Sequence, residues 1–169
     1  MNLSHISRSM NRKGFTLIEL LIVIGILGIL AAGLLAAIDP LEQLKRGRDT
    51  QRRNIAVELN NALNRYYSVH GSMPWGNGAQ AAVALSAATT ITNQLTTSGE
   101  LKSTFTSGAG SVAGDLYIIG AASGGYVYTC FDPESKSISD DPNTIYTSTA
   151  NPPATGTCGA TALCYYCVR

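Results

Sequence analysis

Over 169 residues the chain carries twelve Lys and Arg against eleven Asp and Glu, a balance that excludes the whole-chain basic field of a dedicated nucleic-acid binder. The length admits one ordinary domain with an extra segment at one end, not two full domains. Charged residues are only 14% of the chain, well below the usual quarter, while Gly, Ala, Ser and Thr abound, which predicts a small-residue, β-rich portion.

Residues 1–14 contain Arg8, Arg12 and Lys13 and no acid. From Leu20 to Ile38 every residue is apolar or Gly, and the run reaches back to Phe15 if Thr16 and Glu19 are tolerated. About 20 apolar residues in a helix cross a hydrocarbon core of roughly 30 Å, whereas a signal-peptide core needs about 7–15. No clear A-x-A cleavage site follows. Residues 15–38 are therefore predicted to span a membrane, with the basic N-terminus cytoplasmic and everything beyond facing outward.

Residues 39–70 turn amphipathic without a loop. Ile55, Leu59, Ala62, Leu63, Tyr66 and Tyr67 recur at helical spacing, and Arg52, Arg53, Glu58, Asn60, Asn61 and Asn64 fill the other faces. This predicts a continuation of the same helix, stopped after His70 by Gly71 and Pro74. Pro40 and Gly47 interrupt it, so the stretch from about Ala36 to Gly47 is the expected weak point. Residues 71–169 lose the helical period. Leu116–Gly120 and Tyr126–Phe131 read as two strands of a hairpin, Thr144–Thr149 and Tyr165–Arg169 as further short strands, and residues 79–105 as holding one or two short helices. The expected fold is α+β, a long N-terminal helix packed on a small antiparallel sheet.

Glu19 is the anomaly in the apolar run. A carboxylate in hydrocarbon costs about 2.5–3.5 kcal/mol on insertion scales and usually has a partner. Its position near the cytoplasmic interface allows contact with headgroups or water. Its neighbours suggest more: Lys13-Gly14 before Phe15 is a basic, small-residue site that a peptidase could read, and a cut after Gly14 would create an α-amino group in need of an anion.

The stretch RKGFTLIELLIVIGILGILAAGLLAAI resembles the class III signal of the type IV pilin and pseudopilin family: a short basic leader ending in Gly, then Phe-Thr-Leu-Ile-Glu and a long apolar helix. The resemblance implies that residues 1–14 are a leader cut between Gly14 and Phe15 by a prepilin peptidase, with N-methylation of Phe15. It implies that Glu19 recruits the subunit into a filament by pairing with a neighbour's N-terminal amine. Partners implied are other pilin copies and an inner-membrane assembly platform driven by an ATPase. The subunit would sit in the inner membrane before assembly and in a surface filament after it. The Tyr66-Tyr67 helix end followed by Gly71 and Pro74 also resembles this family. Many pilins carry a Pro at the position of Ala36; here Pro occurs only at Pro40.

Cys130, Cys158, Cys164 and Cys167 lie in the outward zone, where an even count reads as disulfides. Three connectivities are open. Cys158 with Cys164 as a local loop and Cys130 with Cys167 tying the C-terminal strand to the hairpin is preferred, and the resemblance implies such a C-terminal disulfide loop. A zinc reading of Cys164-x-x-Cys167 is weaker, because Cys130 has no close mate. Asp132, Glu134, Asp140 and Asp141 form a turn-rich acidic stretch; calcium, which the pseudopilin resemblance suggests at Asp132, Asp140 and Asp141, ranks below a solvated Asp-Pro turn. Lys45, Arg46, Arg48, Arg52 and Arg53 read as intersubunit pairing or a solvated helix face, with nucleic-acid contact disfavoured by the lack of interleaved aromatics. His70 reads as a C-terminal cap. No catalytic constellation or cofactor site emerges. A structural pilus subunit is thus expected, ahead of a type II secretion pseudopilin, because the outer zone is larger and richer in Ser and Thr than a compact pseudopilin requires. A membrane-anchored binding or redox module ranks third.

Overall fold

The computed structural model describes residues 14–37, 39–122, 125–151, 153–156 and 164–169. They fall into two compact units, up to Pro40 and from Leu41 onward.

The first unit is helix α1 (Leu17–Ala37). Its side chains are exposed throughout residues 17–35, and residues 17–35 have a mean hydropathy of 2.7, apolar and long enough to cross a membrane. A helix that is apolar on all sides belongs in an apolar surrounding.

Helix α2 runs over Pro40–His70 and belongs to the second unit from Leu41 onward. Proline suits a first helical turn, where its missing N–H is not required. The expected interruption falls between α1 and Pro40, and α2 then runs unbroken through Gly47. At the other end Gly71 adopts φ 69° and donates to the carbonyl of Tyr67 at 2.8 Å, the left-handed stop that glycine accepts without cost. His70 stacks on Tyr66 and bonds its carbonyl through Nδ1 at 3.1 Å, which closes the last turn as expected.

After α2 come strand β1 (Gln80–Ala84), helix α3 (Thr89–Thr97), helix α4 (Phe105–Ala109) running into a 3-10 turn (Gly110–Gly114), β2 (Leu116–Gly120), β3 (Val127–Phe131), a short helix α5 (Lys136–Ser139) and β4 (Tyr166–Val168). The sheet is antiparallel throughout, in the order β1-β2-β3-β4. One face carries Leu116, Ile118, Val127, Phe131 and Tyr166 into a core with Ala56, Leu59, Ala62 and Leu63 of α2 and with Leu85, Ile91 and Leu95. The other face holds Ile119, Cys130 and Cys167 beneath Tyr128, Tyr146 and Tyr165. At the end of the interior strand β2, Gly120 lets Trp75 approach so closely that an added Cβ would lie 2.1 Å from the indole.

Helix α3 is the short helix expected within residues 79–105, and β1, which opens that stretch, is held by its pairing with β2. Two expectations need correction. The strand expected at Thr144–Thr149 is reduced to Tyr146, which bridges Tyr165 and Thr155; beside it the Thr147 N–H donates to the Ala154 carbonyl and the Ile145 carbonyl accepts from the Gly156 N–H, isolated bonds rather than a ladder. Finally, the polar side of α2 is not uniformly solvated: Asp49, Arg52 and Asn60 are buried. Asn60 donates from Nδ2 to the carbonyls of Val127 at 3.2 Å and Val168 at 3.3 Å, and accepts from Asn64. A polar residue so placed satisfies main-chain groups of two strands that the helix would otherwise cover.

Candidate functional site

The start of α1 is the first element with a chemical role. Gly14, Phe15 and Thr16 precede the helix, and Phe15 is 82% exposed. Thr16 stands at the N-cap and Glu19 three residues on. The Glu19 carboxylate accepts from the Thr16 N–H at 2.9 Å and from its hydroxyl at 2.7 Å, while the Glu19 N–H donates to Thr16 Oγ1 at 3.3 Å. This reciprocal arrangement is a capping box, in which two donors left over at a helix start are satisfied by a Thr-x-x-Glu pair. Glu19 therefore has a local partner even in a single chain. The Thr-x-x-Glu spacing is the local sequence signal for this cap.

A second polar centre joins α2 to the segment after β3. The carboxylate of Asp49, fully buried, accepts from the main-chain N–H of Glu134 at 3.0 and 3.1 Å and of Ser135 at 2.7 Å. It also receives Arg52 Nη1 at 2.9 Å. Arg52 Nη2 bonds Asp115 at 2.7 Å and the Glu134 carboxylate, whose other oxygen takes Arg48. Two turns before Asp49, Glu42 accepts from the N–H of Lys136 at 2.8 Å and pairs with Arg46 at 3.7 Å. Arg53 lies over the Tyr166 ring at 5.2 Å. Arg46, Arg48, Arg52 and Arg53 of the basic cluster thus have partners within the chain; Arg46, Arg48 and Arg53 stay exposed on the helix face, and Arg52 is buried, which departs from its reading as solvated. Its partners Asp115 and Glu134 are 63 and 82 residues from Arg52, beyond the reach of any local pattern.

The electrostatics follow from this geometry. Burial opposes the charge on Arg52, but its bonds to Asp115, Glu134 and Asp49 raise its pKa above the ordinary guanidinium value. The bonds from Arg48 and Arg52 hold the Glu134 carboxyl below its usual range. Asp132 moves the other way: burial pushes it up, and Asp49, Glu134 and Asp115 add to that push against the pull of Arg52. Arg52, Asp115, Tyr117, Asp132, Glu134 and Tyr165 line a recess of about 330 Å³. Among the described residues no group of three or more His, Cys, Asp and Glu side chains is arranged to hold a metal. Asp141 of the calcium candidates instead accepts from the N–H and side-chain amide of Asn143 at 2.8 and 2.9 Å, a local turn.

Cys130 and Cys167 face each other across β3 and β4 and form a disulfide. Cys164 is also disulfide-bonded. Cys158, its preferred partner from the sequence, lies outside the described residues, as do Arg8, Arg12 and Lys13.

With these features in place, the chain can be compared with known proteins. The family described as "Prokaryotic N-terminal methylation motif" matches residues 9–35. The chain is 44% identical over 75 residues to a fimbrial protein of Neisseria meningitidis serogroup B, covering 44% of this chain and 42% of the relative. It is 44% identical over 68 residues to the fimbrial protein EcpC of Eikenella corrodens, covering 40% and 43%. To a type IV major pilin protein PilE1 of Neisseria gonorrhoeae it is 42% identical over 66 residues, 39% of each chain. The chain spans about two-fifths of the length of these relatives. No solved structure matches it.

Proposed function

We propose that this chain is a structural subunit of a type IV pilus-like filament, made as a precursor, processed at its N-terminus and assembled from the inner membrane. The observation that carries this reading is the coincidence of three features in residues 9–35: the methylation motif, the exposed apolar helix α1, and the capped carboxylate of Glu19 at its start. The relatives named as fimbrial proteins and a major pilin favour a pilus subunit over a secretion pseudopilin. The role is assembly, not catalysis. The disulfides at Cys130, Cys164 and Cys167 weigh against a redox module that would need free thiols.

On this reading a prepilin peptidase cuts between Gly14 and Phe15, where the chain is exposed and precedes the helix, and Phe15 is N-methylated. The leader stays on the cytoplasmic side, and the unit from Leu41 onward faces out and then lies on the filament surface. Glu19 supplies the anion for the new amino group of a neighbouring copy. In the free subunit the capping box satisfies that carboxylate. In a filament whose apolar helices exclude water, an ammonium is the stronger partner, because the attraction between full charges grows as the local dielectric falls.

Mass spectrometry of the N-terminus, together with blots of sheared surface fractions, tests this. Expected are a mature chain beginning with methylated Phe15, a Gly14→Ala variant that stays largely unprocessed, and a Glu19→Ala variant that is cut normally but yields few filaments. A mature chain that keeps Met1 would overturn the processing, and normal filaments from Glu19→Ala would overturn the pairing.

A further inference from the structure

We propose that Asp49 marks the point at which α2 becomes rigid, so that unwinding begun at Pro40 stops at Gly47 and leaves the rest of the second unit folded. The two parts of α2 differ in what unwinding would cost. From Pro40 to Arg48 no side chain of the helix is buried. Leu41 and Leu44 are 68% and 62% exposed, and Gly47 is a weak helix former with open space around its α-carbon. Melting these turns removes no core surface from cover. It gives up the Glu42 bonds to Lys136 and Arg46 and the Thr50 bond to the Arg46 carbonyl, partners that water can replace.

Melting through Asp49 is a different matter. It would strand a buried carboxylate and the amides of Glu134 and Ser135 at once, and take from Arg52 one of its three carboxylate partners. A buried group deprived of its partner loses the full value of its solvation, so the step is opposed sharply and at one residue. The coupling also runs outward. Helix α5 has Ser135 at its N-cap without a side-chain cap bond. Asp49, together with Glu42, supplies acceptors to the N–H groups of residues 134–136 from across the unit. The Asp49 turn of α2 and the segment after β3 therefore order each other. The inference concerns the single chain and does not depend on filament formation.

Residue-resolved hydrogen exchange on the full chain in detergent micelles tests the boundary. Amides of residues 43–47 are expected to exchange at least about tenfold faster than those of 52–60, the pattern of a local opening that stops short of the core. Asp49→Asn should carry fast exchange past residue 49 and raise it at Glu134 and Ser135 together. Gly47→Ala should slow exchange at 44–47 and leave Glu134 and Ser135 unchanged. Should Asp49→Asn fail to fold, Glu42→Ala keeps the test open: by removing the acceptor it should free the Lys136 amide and speed no exchange in α2 beyond Gly47. Equal protection on both sides of Asp49, unchanged exchange at Glu134 and Ser135 in Asp49→Asn, or spread of the Glu42→Ala effect along α2 past Gly47 would each overturn the proposal.

Discussion

Helices α1 and α2 follow one another in the chain and answer to different solvents. Every described side chain of α1 from Leu17 to Leu35 is exposed although the helix is almost wholly apolar, while α2 is polar on average and buries Ala56, Leu59, Ala62 and Leu63 completely. In α2 hydrophobic residues stabilise the fold by packing against the sheet. In α1 the same residue types stand exposed, a distribution suited to an apolar surrounding. Helical propensity does not distinguish the two; the width of the apolar face does.

The sharpest way to break this comparison is to remove one leucine from each helix. Leu59→Ala should destabilise the second unit by about 2–5 kcal/mol, the usual range for a filled core position, and lower the melting temperature in micelles. Leu27→Ala, at a residue 58% exposed, should leave that melt unchanged. A matching loss in both would mean that α1 packs within the chain after all. A somewhat smaller effect is expected from the disulfide, which closes a loop of 37 residues. Cys130→Ser should cost about 2–4 kcal/mol on the loop-entropy scale, read by denaturant unfolding.

The smallest expected effect is on pH dependence, and it concerns the charged part of α2. Glu134, held below its usual range, contributes stability that is present above its unfolded pKa and is lost as pH falls through the lower folded value. Asp132, pushed up, has the opposite sign: it opposes folding at neutral pH, and that penalty fades as pH falls from its folded toward its unfolded pKa. Melts between pH 7 and pH 3 should therefore show Asp132→Asn more stable than the parent at neutral pH, with the gain shrinking in acid. Glu134→Gln should lose stability at pH 7 and flatten the acid limb. If Asp132→Asn is less stable at pH 7, the balance of charge around the recess has been misjudged.

How far the site was legible depends on the distance over which each part is built. Thr16 and Glu19 are three residues apart, and both the apolar run and the Gly14-Phe15 junction lie beside them, so every residue to which processing and assembly are assigned by proposal sits in one short window of the sequence. The Asp49 centre does not. Its acid and base are adjacent turns of α2, but the groups they hold are 63 to 86 residues away. From the sequence alone, Arg52 looked like one more solvated cation.

The same division separates what the sequence by itself determined from what tertiary structure decided. Local signals settled the membrane-length helix, the period of α2 and its stop at Gly71, and the β2–β3 hairpin, because propensity, periodicity and chain breaking act between near neighbours. Tertiary structure made a strand of the Ala-rich residues 80–84, reduced 144–149 to one bridge at Tyr146, took Cys130–Cys167 from three open connectivities, and buried Asp49, Arg52 and Asn60. Each of these outcomes needs a hydrogen-bonding, ionic or covalent partner that only the folded chain brings near. A polar or small side chain carries no mark of which distant group will meet it.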